Sequence, residues 1–213
     1  MWRVSLRPED YANTALSNFL SINEYTVEKI HDERVELRKY FTVLQTLYPL
    51  HKNARVVHET GKILKLLGEI RNYDLTDPKA DLSKREQLLS PVMSKKRTFR
   101  VYHLPVLYGS RLLLFSELTR ILNILMKPDR NFHLYRKLIR KSRFISESLD
   151  HDATVLKNIA KELGEQLDEN MISLKKIGRE NLDEGKFMLQ VEEAANGLKD
   201  IIEHSEFYFK IGP

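Results

Sequence analysis

The chain of 213 residues has no cysteine, which excludes disulfides, iron–sulfur clusters, thiolate zinc sites and thiol catalysis. Glycine and proline are scarce, eight and seven residues respectively, and this loop-poor composition favours an antiparallel helical bundle. No segment approaches the roughly 20 uninterrupted apolar residues of a membrane-spanning helix. The opening residues MWRVSLRPED hold no apolar run ahead of their first charges, so no secretory signal is read and a cytoplasmic location is expected. Several chemical signatures are also missing. There is no H-E-x-x-H and no G-x-S-x-G, and neither Gly61-Lys62-Ile63 nor Gly185-Lys186-Phe187 completes a phosphate-binding loop. Nucleotide cradling and serine hydrolysis have no foothold, and no cofactor is implied.

What is present is apolar residues at helical spacing. Hydrophobic residues make up 42% of the chain, enough for a core in a single domain spanning 1–213. They recur as in Ile30, Leu37, Phe41, Leu44 and Leu156, Ile159, Leu163, Leu167, with no convincing alternation of period two. The reading is all-α, with helices near 8–20, 23–48, 52–74, 79–90, 105–126, 129–149, 152–178 and 182–204. Pro49, Pro78, Pro91, Pro105 and Pro128 are taken as the breaks between them. Pro8 and Pro128 suit first-turn positions.

A net charge of +5 conceals an uneven distribution. Residues 162–206 hold twelve acidic against five basic residues, a face that could dock a basic partner but more simply keeps the back of a bundle soluble. The basic surplus is concentrated elsewhere. Arg136, Lys137, Arg140, Lys141 and Arg143 fall together with no acid among them, as do Lys95, Lys96, Arg97, Arg100 and Arg111. Such clusters are commonly solvated faces, and a polyanion is the sharper reading.

An internal repeat turns the scattered bases into a pattern. His31-Asp-Glu-Arg34-Val-Glu-Leu-Arg38-Lys39 and His133-Leu-Tyr-Arg136-Lys137-Leu-Ile-Arg140-Lys141 both read H-x-x-R-x-x-x-R-K. At about 100° per residue, the His and both Arg of each copy fall within an arc of about 60° on one helix. Each helix would then pack one face and present a cationic ridge beside it. A second correspondence follows each ridge, Lys65-Leu-Leu67-Gly68-Glu69 and Lys161-Glu-Leu163-Gly164-Glu165. Glycine within a helix costs about 1 kcal/mol relative to alanine, so two at matching positions suggest close helix contact.

On these two pairs of helices, over roughly residues 20–213, the chain resembles the CHAD family, the conserved histidine α-helical domain. The family's second-helix signature is matched by Leu67-Gly68-Glu69-Ile70-Arg71-Asn72-Tyr73-Asp74 and by Leu163-Gly164-Glu165-Gln166-Leu167-Asp168. The resemblance implies two helical-bundle halves, approximately 20–126 and 127–213, related by pseudo-twofold symmetry around a basic cavity that binds inorganic polyphosphate without catalysis. It also implies association with polyphosphate granules. Two positions depart from the pattern. Phe41 stands where a third base often follows the first ridge, a place Arg143 fills in the second, and Asn72 replaces an acidic residue.

The anion contacts expected are Arg34, Arg38, Lys39, Arg136, Lys137, Arg140, Lys141 and Arg143. Lys65, Lys161 and Arg71 would support them from the second helices, with His31 and His133 lining the same cavity. Arginine's planar fork of donors matches phosphate oxygens, and a linear polyanion touches many cations with no base-reading apparatus. Nucleic-acid binding, the first alternative, calls for stacking aromatics interleaved with the bases. Tyr135 is the candidate on the second ridge, and Phe132, Leu134 and Ile139 beside it are packing residues. The second alternative is a metal-dependent phosphohydrolase resembling the HD enzymes, suggested by His31-Asp32 and His151-Asp152. A helix dominated by cations disfavours that metal site.

Overall fold

The computed structural model describes residues 7–76, 82–127, 131–177 and 183–205. Among them the chain is helical, with no strand. The elements are α1 (Pro8–Ser21), α2 (Val27–Thr46), the single turn α3 (Tyr48–His51), α4 (Ala54–Thr76), α5 (Leu82–Thr98), α6 (Ser110–Leu125), α7 (Phe132–Ser148), α8 (Thr154–Ile177) and α9 (Glu184–His204). No described helix is long and apolar enough to cross a membrane.

Local chemistry sets the helix starts. Pro8 occupies the first turn of α1 with Glu9 and Asp10, where a missing N–H costs nothing and acidic side chains complement the helix dipole. The side chains of Thr26, Asn131 and Asp183 accept hydrogen bonds from the backbone N–H groups of Lys29, Leu134 and Lys186, capping α2, α7 and α9. The role expected for Pro128 lies outside the described residues, as does that of Pro78.

Burial follows the helical period. Ile30, Leu37, Tyr40 and Leu44 of α2 are fully buried, as are Tyr135, Ile139 and Ile145 of α7. These faces join one continuous core with Leu67 and Ile70 of α4, Leu118 and Ile121 of α6, and Leu156 and Leu163 of α8. Packing runs from α1 to α2 to α4 to α5, and from α6 to α7 to α8 to α9. The two runs meet where α2 packs on α7 and α4 on α8.

Three expected boundaries are wrong. Helix 23–48 is two elements, because α2 ends at Thr46 and Pro49 sits in the first turn of α3, which Lys52 terminates in the left-handed region at φ 51°. Pro91 breaks nothing, since α5 continues through it to Thr98. Buried Leu89 and Val92 on either side outweigh a kink penalty of about 3 kcal/mol. The helix expected from residue 105 begins at Ser110. Ahead of it the Leu104 N–H donates to Asn13 Oδ1 and the Leu107 N–H to Glu9 Oε1, so α1 side chains satisfy the backbone that a helix would otherwise pair. Gly109, at φ 85°, supplies the left-handed turn into α6.

One buried ion pair ties α5 to α2. The Lys96 ammonium donates to the Glu33 carboxylate and to the carbonyl of Ile22, while it also lies 4.9 Å from the centre of the Phe19 ring. The Glu33 side chain is fully buried and its other oxygen has no hydrogen-bond partner among the described residues. Burial therefore raises its pKa against the pull of Lys96. Removing one partner strands a buried charge. Lys96→Met is expected to cost about 3–5 kcal/mol in urea unfolding, and Lys96→Met/Glu33→Leu to recover most of it. A single-variant loss below about 1 kcal/mol would show that the pair holds nothing together.

Candidate functional site

Four helices converge on a cavity of about 440 Å³. From α2 come His31, Arg34, Val35 and Arg38, from α4 Arg71, and from α7 Arg136, Arg140, Arg143 and Phe144. The wall from α8 consists of Ala160, Lys161, Gly164, Glu165 and Asp168. The stripe read from the first ridge thus faces this space intact, because Arg34 and Arg38 lie on the arc beside the buried face of Ile30, Leu37 and Leu44.

The second ridge reaches the cavity only in part. His133, at the start of α7, is exposed and does not line it; its ring stands edge-on to Phe132 at 5.7 Å. Lys137 is exposed and also outside the lining. The lysine that ends each ridge is turned away, about 100° round the helix from its preceding arginine. Lys39 Nζ donates to Glu36 Oε1 at 2.5 Å, and Lys141 Nζ to Glu117 Oε1 at 2.6 Å. Lys65 is exposed on α4 away from the cavity. Lys161 lines its rim, three-quarters exposed and 3.8 Å from Glu165.

The glycines expected at helix contacts behave differently from each other. At Gly68 an added Cβ would lie 3.5 Å from the Arg34 guanidinium, so this glycine is a seat for a cavity arginine. At Gly164 it would meet nothing within 4 Å, so that glycine leaves cavity space open. Neither is a close approach of two helix backbones.

The cavity arginines fall into two classes. Arg71 forms a two-pronged pair with Asp168, Nη1 to Oδ1 at 3.0 Å and Nη2 to Oδ2 at 2.6 Å. Arg143 donates from Nε to Glu147 Oε1 at 2.7 Å, while the Tyr11 hydroxyl donates to the other Glu147 oxygen at 2.6 Å. Arg34, Arg38, Arg136 and Arg140 form no ion pair among the described residues, and Nε of both Arg34 and Arg136 is buried without a hydrogen-bond partner. Burial is the largest influence on all four and acts against their charge, with neighbouring guanidiniums adding to it. The pKa falls to about 8 at Arg38, about 9 at Arg140 and about 10 at Arg34. They remain cations at neutral pH, poorly solvated and mutually repelling.

His31 shares this field: burial lowers its pKa first, followed by Arg71, with Asp32 opposing. The His-Asp pairs assemble no metal centre. Among the described residues no three His, Asp or Glu side chains come together in a metal-binding group. Asp152 instead accepts hydrogen bonds from Thr154 N–H and Oγ1 at 2.9 and 2.6 Å, and His151 Nε2 lies 3.1 Å from Ser205 Oγ. Tyr135 offers no stacking platform either. It is fully buried, with its hydroxyl donating to the Lys127 carbonyl at 2.5 Å.

Sequence reasoning missed the carboxylates that divide the cations. Glu36 and Glu147 were legible, being three and four residues from Lys39 and Arg143 on their helices. Asp168 and Glu117 were not, because they reach Arg71 and Lys141 across 97 and 24 residues.

Uncompensated buried cations destabilise the empty protein. Arg38→Met, which keeps much of the stem and removes the charge, is expected to stabilise the anion-free protein by about 1–3 kcal/mol. For a chain of this size that raises Tm by about 2–4 °C per kcal/mol. Calorimetry in phosphate-free buffer checks this, and a lowered Tm would show that Arg38 is held by interactions that offset its burial. Comparison with known proteins supplies no relative: no family model, curated protein or solved structure matches the chain.

Proposed function

We propose that this protein binds inorganic polyphosphate, without catalysis, in the cavity between α2, α4, α7 and α8. The observation that carries the reading is the convergence of Arg34, Arg38, Arg136 and Arg140 on one space with no carboxylate partner among the described residues. A multiply charged anion supplies what these groups lack, acceptors for their N–H donors and relief from mutual repulsion. Phosphate chains match the planar donor fork and bring one charge per unit. The aromatic ring lining the cavity, Phe144, is only 2% exposed, so it offers little face to a nucleic-acid base.

The CHAD-like resemblance of the two ridges points the same way. The helix order α1–α2–α4–α5 is mirrored in packing by α6–α7–α8–α9, and equivalent arginines from α2 and α7 line one cavity. Both features support two halves related by a pseudo-twofold axis, with the division between α5 and α6 and so ahead of the boundary at 126–127 expected from the repeat. Arg71, Arg143, Lys161 and His31 complete the wall in this reading. Lys39, Lys65, Lys137, Lys141 and His133 lie outside it and act at most through the long-range field. A cytoplasmic protein of this kind would associate with polyphosphate granules.

Binding is tested by titration with long-chain polyphosphate against single-stranded DNA and RNA of matched charge. Polyphosphate is expected to bind tightest, with a log–log salt slope of about −0.7 per phosphate neutralised, by analogy with single strands. At a hundredfold excess over Kd it should stabilise the fold by about 2.7 kcal/mol. Arg38→Glu and Arg140→Glu should weaken binding to similar degrees, since the extra lysines of the second ridge are turned away. A flat salt response, or DNA binding as well as polyphosphate, overturns the reading.

Proton linkage distinguishes the two histidines. With its pKa lowered in the empty cavity, His31 sheds its proton more readily than in the unfolded chain, so it opposes folding as pH falls through the ordinary imidazole range. A bound polyanion reverses the local field and raises that pKa. Binding should therefore take up protons near pH 7, with affinity increasing as pH falls through the bound-state pKa and levelling off below the free-state value. Calorimetric titration in buffers of different ionisation enthalpy should show this uptake in the wild type and in His133→Gln, and lose it in His31→Gln. Uptake that survives in His31→Gln assigns the coupling to another group.

A further inference from the structure

If the cavity is a polyphosphate site, on which reading this inference rests, two of its lining groups have the wrong sign, Glu165 and Asp168, and Asp168 is the one that engages a lining arginine. Asp168 projects from α8 among the guanidiniums and holds both terminal nitrogens of Arg71. The two side chains are 22% and 21% exposed and both line the cavity, so the pair sits in the binding space rather than sealed behind it. An anion belonging to the protein thus already occupies part of the anion site.

Its influence is uneven. The Asp168 charge acts favourably on Arg34 and Arg136. After burial, the main influences on Arg38 and Arg140 are other guanidiniums. Electrostatically the cavity has a compensated side, where Asp168 serves Arg71, Arg34 and Arg136, and an uncompensated side at Arg38 and Arg140. Of the remaining lining cations, Arg143 is paired with Glu147, and Lys161 stands three-quarters exposed at the rim, where solvent already screens it. The free donor capacity is therefore that of Arg34, Arg38, Arg136 and Arg140.

We propose that Asp168 is a resident anion that competes with the ligand for Arg71 and limits the cavity to a short oligophosphate segment matched to those four guanidiniums. A phosphoryl group that displaces Asp168 exchanges one two-pronged pair at Arg71 for another of similar strength, and strands the carboxylate. Such an exchange yields little net affinity, so the chain stops short of Arg71. A long polyphosphate is then gripped over a few phosphoryl groups while the rest stays in solvent. Affinity per molecule ceases to grow once the chain fills that segment.

The test is titration of the wild type and Asp168→Asn with long-chain polyphosphate across a salt series, together with displacement of the long chain by inorganic tripolyphosphate. The wild-type slope is expected near −2.8, about four phosphates at −0.7 each. Asp168→Asn, which frees Arg71, should bind about tenfold tighter at low salt, with a slope steeper by about 0.7. Tripolyphosphate should displace the long chain completely from the wild type, a measurement that stands even if the variant misfolds. Equal or weaker binding by Asp168→Asn, or incomplete displacement by saturating tripolyphosphate, overturns the role of Asp168 and leaves polyphosphate binding intact. No binding of long-chain polyphosphate by the wild type overturns both.

Discussion

Repulsion among Arg34, Arg38, Arg136 and Arg140 is the constraint around which the rest of the structure is arranged. Four guanidiniums brought together with no carboxylate ion pair among the described residues resist assembly, so the elements carrying them must be held by something else. The fully buried faces of α2 and α7, adjacent on each helix to its arginine stripe, do this. They make α2 and α7 part of one core, and the stripes follow because they share the same helices. Hydrophobic burial of about 25 cal/mol per Å² over many residues can hold a local electrostatic cost of this kind. The contacts Lys96–Glu33, Tyr40–Tyr102 and Leu104–Asn13 fasten α1, α2 and α5 to their neighbours through residues that do not line the cavity.

The division between arginine and lysine has the same logic. Every ridge arginine faces the cavity or its edge, whereas the ridge lysines point to solvent or to a carboxylate on the outside. A guanidinium is weakly hydrated and tolerates burial; an ammonium is strongly hydrated and resists it. Lys39 and Lys141 contribute to the repeated H-x-x-R-x-x-x-R-K pattern but stand about 100° from the stripe. The pattern therefore mixes two placements in one string, cavity-facing arginines and outward lysines.

This explains which parts were legible. The all-α class and the first stripe followed from period and repeat, since helical geometry maps spacing onto direction, whereas the convergence of α2 with α7 was expected only from the CHAD resemblance. What could not be read was compensation across the fold. Nothing local to Arg71 announces Asp168, and nothing local to Lys141 announces Glu117. Counting bases consequently overstated the free charge of the second ridge, whose Arg143 is engaged by Glu147 and whose lysines leave the cavity. The helix boundaries failed for a related reason. Pro91 and Pro105 are strong local signals, yet buried Val92 carried the helix through the first, and Asn13 and Glu9 hold the segment around the second in non-helical backbone. Local propensity is a weak prior where tertiary partners satisfy the backbone.

The convergence of two arginine stripes also bears on why such a site is built from two helices rather than one. One helix can carry a stripe of two arginines at little cost, because exposed cations on a single face are solvated and screened. Bringing a second stripe against it removes water from both and makes each charge costlier, and the same step makes each donor more effective towards a shared anion, since hydrogen bonds to charged groups strengthen as the surrounding dielectric falls. The penalty in the empty state and the attraction for an anion therefore have one origin. The side of the cavity where no carboxylate intervenes, at Arg38 and Arg140, carries the largest shifts. Under the proposed polyphosphate reading, that side is where an anion gains most and where the first contact should form.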